Sequence, residues 1–479
     1  MTTQDGNREK PSGAGIGKHL PLVGFMLSPV ILGFLLGVYV GAEEVFPYKH
    51  IRDARNTLSS LASLLEKRKH PSFQRFSEYD VADLSQLRIE SDPSASPDDS
   101  YLFFGGLNQY RELCPEQGCA AVHMAGTGEV LHAYPYRPEE IFAANSATEH
   151  PHEFLQFDPA QDMRPVSAKL LPGRDLLVIF ARTKDAQVFP FGTGVARIAP
   201  DGQPRWYRFD YSHHWPSPSV GDHLLIPAAR VRTTPVELAW HARDSYMLPC
   251  SAKTYDDTVQ VMNPAGDVLE EISILTALEQ SPFRGLLEQT TDPCDPLHLN
   301  FIDVVRDTDP TVEDITTGDW VLSLRNLSAF AIVDSNNGRI KRVIRGSFSQ
   351  QHSVQHLTGP RYLLFDNKGG NWDGGPSRVL ELDLATGSER TVFPTAAHLD
   401  RHRKLFQKAV GHLSISKDRT RVIATFTSYG LAFEIRLADG RLLREFRSIH
   451  DVSDVPTLAA RGTTAAVFEL FGVEYAVTD

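Results

Sequence analysis

The sequence predicts an all-β protein, a six-bladed β-propeller preceded by an N-terminal transmembrane helix and a short helical stem. Three observations predict it. One hairpin pattern, an apolar strand, a turn ending in glycine and a second strand, occurs six times. Each copy is followed by a loop and a further apolar run. A long charge-free stretch precedes them all.

The pattern is plainest from Asp319 to Asn367. DWVLSL and AFAIVD are short β-rich runs, the turn Asn336-Asn337-Gly338 follows, and RIKRVI and RYLLFD continue the alternation. Four short strands joined by tight turns describe one antiparallel sheet. A polar pair, Gln351-His352, sits between the third and fourth runs, where no strand pattern requires it. The hairpin recurs around Gly128, Gly202, Gly266, Gly387 and Gly440. Glycine supplies the positive φ of a tight hairpin turn. The runs that follow are HLLIPA, WVLSLR, YLLFDN, VIATFT and AAVFEL. A four-stranded sheet repeated six times closes into a propeller.

From the start of the chain, residues 1–19 are polar and carry Arg8, Lys10 and Lys18, the composition of a disordered cytoplasmic tail. Residues 20–41 contain no charge and are long enough to cross a bilayer as a helix. The basic flank places the N-terminus in the cytoplasm. The expectation is a single-pass anchor in the inner (cell) membrane, with the propeller in the periplasm or outside the cell. A cleaved signal peptide is the alternative, since Val40-Gly41-Ala42 offers a small-residue site, but the apolar run exceeds a signal core. Residues 42–90 read as helical stem and linker. Ile51, Ala54, Leu58, Leu61 and Leu65 form a heptad seam, either a homo-oligomer stalk or a helix packed on its own domain. The propeller is placed over residues 91–479.

A formal net charge of -12 speaks against a nucleic-acid surface. The four cysteines, an even number in an exported domain, read as the disulfides Cys114–Cys119 and Cys250–Cys294. No pair has zinc spacing, and no glycine-rich phosphate loop opens a helix. Neither a metal nor a cofactor is expected.

In a propeller the loop before each innermost strand faces the central channel, so residues there converge. These loops carry His213 and His214, His298, His352, His412 and His450. One surface histidine means little, but several at one repeat position form a cluster.

At these residues the chain resembles a family. QQHSVQHLTGPRYLLFDN, DPLHLN and WVLSLRNLSAFAIVDSNNGRI are similar to segments of the arylsulfotransferase (aryl-sulfate sulfotransferase-like) family. The resemblance runs from about Tyr101 to Phe446 and is most specific from Asp295 to Asn367. It implies an exported six-bladed propeller that moves a sulfuryl group from an aryl sulfate to a phenol through a sulfated histidine. His298 and His352 match the active-site histidines of the DxxHxN and QH motifs, and Arg325 matches the arginine of the SxR strand. The family's nucleophile lies later in the chain, where His412 is the candidate by blade position and His402 the alternative. His213, His214, Asn300, Asn367 and Lys368 are candidate substrate-binding residues. One departure stands out. Catalytic members carry an arginine shortly after FDN, where this chain has Lys368-Gly369-Gly370-Asn371-Trp372, with Arg378 further on.

The residue types suit the chemistry. Neutral imidazole is a nucleophile near pH 7, a second imidazole can move the phenol proton, and a fixed cation holds the sulfate oxygens. Against the enzyme stands a propeller that keeps the fold without catalysis and binds an anionic ligand or a protein partner in the cell envelope.

Overall fold

In the computed structural model the chain divides into two units, Met1–Pro71 and Ser72–Asp479. The structure describes residues 86–476, except 108–109, 111, 147–156, 183–191, 219–220, 222, 234–236, 242–243, 248–253, 369–374, 400–404, 452–464 and 468. Of the preceding residues it describes Ser28, Leu32, Gly33 and Leu35, which are helical and exposed. Apart from these four, the expected anchor lies outside the described residues, as does the stem up to residue 85. Among the described residues no helix is long and apolar enough to cross a membrane.

The second unit is a six-bladed all-β propeller. Blade two is Met163–Leu170, Leu176–Arg182, Gly192–Ile198 and Pro204–Arg208. Blade three is Ser217–Pro218, Leu224–Arg232, Thr254–Met262 and Val268–Ser273. Blade four is Leu299–Val304, Trp320–Leu324, Ala329–Val333 and Ile340–Ile344. Blade five is His352–Thr358, Arg361–Asp366, Arg378–Asp383 and Ser388–Phe393. Within each, consecutive strands pair antiparallel.

The ring closes with both ends of the domain. Blade one takes Ser100–Phe104, Cys119–Ala125 and Val130–Pro135, and receives its innermost strand, Gly472–Tyr475, from the far end of the sequence. Blade six is His412–Ile415, Arg421–Phe426, Leu431–Arg436 and Leu442–Asp451, extended outward by Gln86–Ser91. Gln86–Glu90, expected as the end of the stem, is therefore edge strand. A buried ionic knot ties the seam. Fully buried Glu434 of blade six accepts from Arg421 at 2.7 Å, from Arg444, and from the Tyr101 and Tyr475 hydroxyls of blade one.

Two readings of the strands need correction. RYLLFD is not the fourth strand of the sheet containing AFAIVD; it is the second strand of the next blade, after His352–Thr358. That inner strand, HSVQHLT, carries polar side chains because it lines the channel, so hydrophobic alternation does not mark it. AAVFEL is not a new blade strand either. Ala465–Val467 pairs with the end of Leu442–Asp451, and His450 stands opposite Ala466 in that pair rather than in a channel loop.

The six turn glycines all adopt positive φ, from 69° at Gly387 to 92° at Gly266. At Gly266 the need is double, because a Cβ there would sit 2.6 Å from the Trp206 ring of the preceding blade. Neighbouring blades meet through apolar faces. Between blades five and six Phe365, Phe393, Phe426 and Phe433 are fully buried, each worth roughly 1.5–3 kcal/mol of burial. This packing holds the channel loops rigidly in place.

Candidate active site

Three channel loops bring His214, His298 and His352 together. The ring of His214 lies 5.1 Å from that of His298 and 6.3 Å from that of His352. His214 and His298 stand just before the inner strands of blades three and four, and His352 opens that of blade five. His214, His298 and Gln350 have φ of 57°, 52° and 52°. A non-glycine residue in that region costs on the order of 1–3 kcal/mol and persists only where its surroundings hold it. They do so here. Ser167 Oγ donates to the His214 carbonyl at 2.6 Å, the Arg325 N–H to the His298 carbonyl at 3.3 Å, and the Gln350 N–H to Ser328 Oγ at 3.1 Å.

Each ring has a different orienting partner. His352 Nδ1 lies 2.8 Å from Asn367 Oδ1. The Asn367 amide cannot be turned round, because its Nδ2 donates to the Gln407 and Val410 carbonyls at 2.8 and 2.7 Å. His352 therefore donates from Nδ1, and the neutral ring keeps its lone pair on Nε2. The Asn367 side chain thus orients the His352 ring. His298 Nδ1 is bonded to Asp295, whose backbone carbonyl is held by Asn326 Nδ2 at 2.6 Å. His214 Nδ1 lies 2.7 Å from His213 Nδ1, and His213 Nε2 lies 3.4 Å from Asp257 Oδ1. Asn300, expected to bind substrate, is buried and donates to the Gln351 carbonyl at 2.8 Å, fixing the loop that carries His352.

Arg325 follows the second strand of blade four and points its guanidinium into the cluster. Nη1 donates to Asn326 Oδ1 at 2.7 Å and Nη2 to Gln350 Oε1 at 3.2 Å. Both partners are neutral amides. Burial pushes its pKa down, and among the described residues it forms no ion pair with a carboxylate. A guanidinium removed from water without an anion is costly.

That cation and the burial keep the imidazoles neutral. Burial, then Arg325, holds His352 well below its ordinary value. Burial, then His213 and His298, does the same to His214. His298 is pushed down to about 3 by burial and Arg325, while burial pushes its partner Asp295 up to about 8. At neutral pH the site presents uncharged rings and one fixed positive charge, the arrangement that receives a monoanion.

His412, expected as the nucleophile, does not join this cluster. Trp215 stands between, stacked on His412 at 5.2 Å and meeting His352 at right angles at 6.5 Å. His412 Nε2 is bonded to Glu474 at 3.1 Å, and Glu474 pairs with Lys169 at 3.5 Å. The ring opens its inner strand as blade position implies, but it already has an acid of its own. Arg378 is likewise committed, donating to Asp366 at 2.8 Å and to the Ser347 carbonyl at 2.9 Å. The Lys368 N–H donates to Asp366 Oδ1 at 2.8 Å. Of the expected disulfides, Cys114–Cys119 is formed. Cys294 is disulfide-bonded, and Cys250 lies outside the described residues.

Sequence reasoning does not single out Asp257, Trp215 or Gln350. Asp257 lies at the edge of an apolar run and Trp215 follows a histidine pair, and neither position carries a motif. Asp295 lies within DPLHLN, but the motif alone gives it no role.

Solved structures that match include dihydro-heme d1 dehydrogenase NirN in complex with DHE, at 11% identity and a TM-score of 0.33, over 74% of this chain and 54% of that one. Kuenenia stuttgartiensis hydrazine synthase matches at 10% and 0.38, over 67% and 72%. Virginiamycin B lyase from Staphylococcus aureus matches at 9% and 0.31, over 58% and 83%. This chain covers just over half of the first of these, and likenesses so distant say nothing of its chemistry. No curated protein matches the sequence. Residues 212–437 match the family model described as arylsulfotransferase (ASST). That span runs from the His213-His214 pair through His298, Arg325 and His352 to blade six, and over it the chain is similar to the arylsulfotransferase family.

Proposed function

We propose that the protein transfers a sulfuryl group from an aryl sulfate to a phenol in the channel mouth, with His352 as the nucleophile. The observation that carries this is the buried Arg325 guanidinium, without an acid partner among the described residues, beside neutral imidazoles. His352 Nε2 attacks sulfur and the S–O bond to the aryl oxygen breaks. The sulfo-histidine then passes its sulfuryl group to the acceptor oxygen. Arg325 and His298 hold the equatorial oxygens, and His214 moves the proton at the aryl oxygen. Choosing His352 rather than His412 as nucleophile rests on the Asn367 contact, which sets the Nε2 lone pair, and on the Glu474 contact, which occupies His412.

The test is acceptor-dependent phenol release by the purified full-length protein from a chromogenic aryl sulfate. Release with ping-pong kinetics is expected. No release across donors of several leaving abilities would leave an anion-binding propeller as the better reading. The charge-free run over 20–41 and the Cys114–Cys119 bridge support a propeller held outside the cytoplasm. Protease added to intact cells should degrade the propeller only after the outer barrier is opened; protection until the inner membrane is lysed would contradict this.

A further inference from the structure

His213 and Asp257 take no part in the chemistry so far, yet both are fully buried and reach the cluster through His214. His213 is pinned by its own N–H, which donates to the Pro227 carbonyl at 2.9 Å. Asp257 stands on strand Thr254–Met262 of the same blade. Its carboxylate has no partner other than His213 among the described residues. Two imidazoles that meet Nδ1 to Nδ1 at 2.7 Å share a single hydrogen between those atoms. When that hydrogen moves onto His214, the far nitrogen of His214 can release its own hydrogen and turn from donor to acceptor, leaving the ring neutral.

We propose that Asp257 and His213 hold the proton that sulfuryl transfer consumes and returns, exchanging it with His214 across the Nδ1–Nδ1 contact. The inference rests on the sulfo-histidine reading above. In the loaded state His213 is an imidazolium beside the Asp257 carboxylate, its Nδ1–H bonded to His214 Nδ1, and His214 carries hydrogen on Nε2. When the S–O bond of the donor breaks, the departing aryl oxygen takes the Nε2 hydrogen. The His213 Nδ1 hydrogen moves to His214 Nδ1 at the same time. Neutral phenol leaves, and His214 Nε2 now has a lone pair. In the second half-reaction the acceptor phenol gives its proton to Nε2, its oxygen bonds to sulfur as the N–S bond breaks, and the hydrogen returns to His213. Protons balance over the cycle, with none drawn from solvent.

The arrangement solves an electrostatic difficulty. A proton left on His214 would add a positive charge beside Arg325, and close to His298 and His352. The relay moves that charge one ring away, next to a carboxylate. The other ionisable groups near Asp257 are Asp256, which accepts from Ser273 Oγ at 2.7 Å, and the Asp295–His298 pair. His213 and Asp257 are positioning residues, since neither touches the reacting atoms.

The test uses full-length Asp257→Asn and His213→Gln with two donors, phenyl sulfate and 4-nitrophenyl sulfate. Phenolate leaves poorly and needs the proton, whereas nitrophenolate does not. The expected loss in kcat/KM is about tenfold or more with phenyl sulfate and no more than about twofold with the nitro compound. The ratio between donors does not depend on how much of a variant folds. Equal losses on both donors, or none on either, would overturn the relay. Nitrogen-15 spectra of histidine-labelled protein test it without turnover. They should show one strongly deshielded hydrogen coupled to His213 and His214, shifted by Asp257→Asn. A spectrum without that hydrogen, or one Asp257→Asn leaves unmoved, counts against the relay even if transfer itself is never observed.

Discussion

His352 and His412 occupy the same place in neighbouring blades. Each opens an innermost strand, each is buried, and each touches Trp215. Their partners differ. His352 has a fixed amide behind it and, close by, the Arg325 guanidinium, which forms no ion pair among the described residues, so its lone pair faces a cation and not an acid of its own. His412 has Glu474, and Glu474 has Lys169, so the group is already neutralised. Repeat geometry delivers a residue to the channel, and the side chains around it decide whether it has chemistry left to do.

The largest effect that would break this comparison is in the two histidines themselves. His352→Ala should lower transfer by at least about a thousandfold, because the covalent route is lost. His412→Gln should leave it within about threefold, there being no contact with the reacting group. Similar losses in both, read by steady-state kinetics, would erase the distinction.

Arg325 sharpens it next. Arg325→Met should cost about 10²–10³-fold in kcat, as for a lost oxyanion donor. The same variant should unfold at an equal or higher temperature, since a buried charge that forms no ion pair among the described residues is removed. A clear drop in Tm would mean that Arg325 is structural. Asn367→Leu should cost about 10²-fold in transfer by releasing the His352 tautomer. Some of that change will also be loss of the loop carbonyl bonds, which thermal unfolding measures separately.

Acid reports on the buried rings together. His214, His352 and His412 all have folded pKa values below the unfolded one, which is about 6.5. Below that pH the unfolded chain binds protons that the folded chain refuses, so stability is lost as pH falls. The Asp295–His298 pair contributes little, because its upward and downward shifts oppose each other. The denaturation midpoint should fall steadily from pH 7 to pH 5; a flat profile would mean that the rings are charged in the folded state. The smallest effect is at Glu474. Glu474→Gln should destabilise by about 1–3 kcal/mol, by leaving Lys169 without its acid, and leave transfer nearly unchanged.

The blades are legible in the sequence because their third and fourth strands alternate and their turns end in glycine at Gly128, Gly202, Gly266, Gly338, Gly387 and Gly440. The inner strands are not, since HSVQHLT faces the channel and carries polar side chains. The same polarity makes the loop histidines visible. His298, His352 and Arg325 are legible as a set because each sits in a short motif, and His214 because a pair of histidines at a channel loop is uncommon. Blade position picks out His412 but says nothing of its partner Glu474, 62 residues further on. Asp257 is hidden for a similar reason. Its partner, His213, lies in the loop before another strand, and only the folded blade brings them within 3.4 Å.

The most direct measurement traps the covalent intermediate. The full-length protein is mixed with an aryl sulfate without acceptor, quenched at mildly alkaline pH, digested, and each histidine peptide weighed. One sulfuryl group on the peptide containing His352, absent from the one containing His412 and discharged by added phenol, is the expected result. A sulfuryl group on His412, or on His214 or His298 in place of His352, would contradict the assignment.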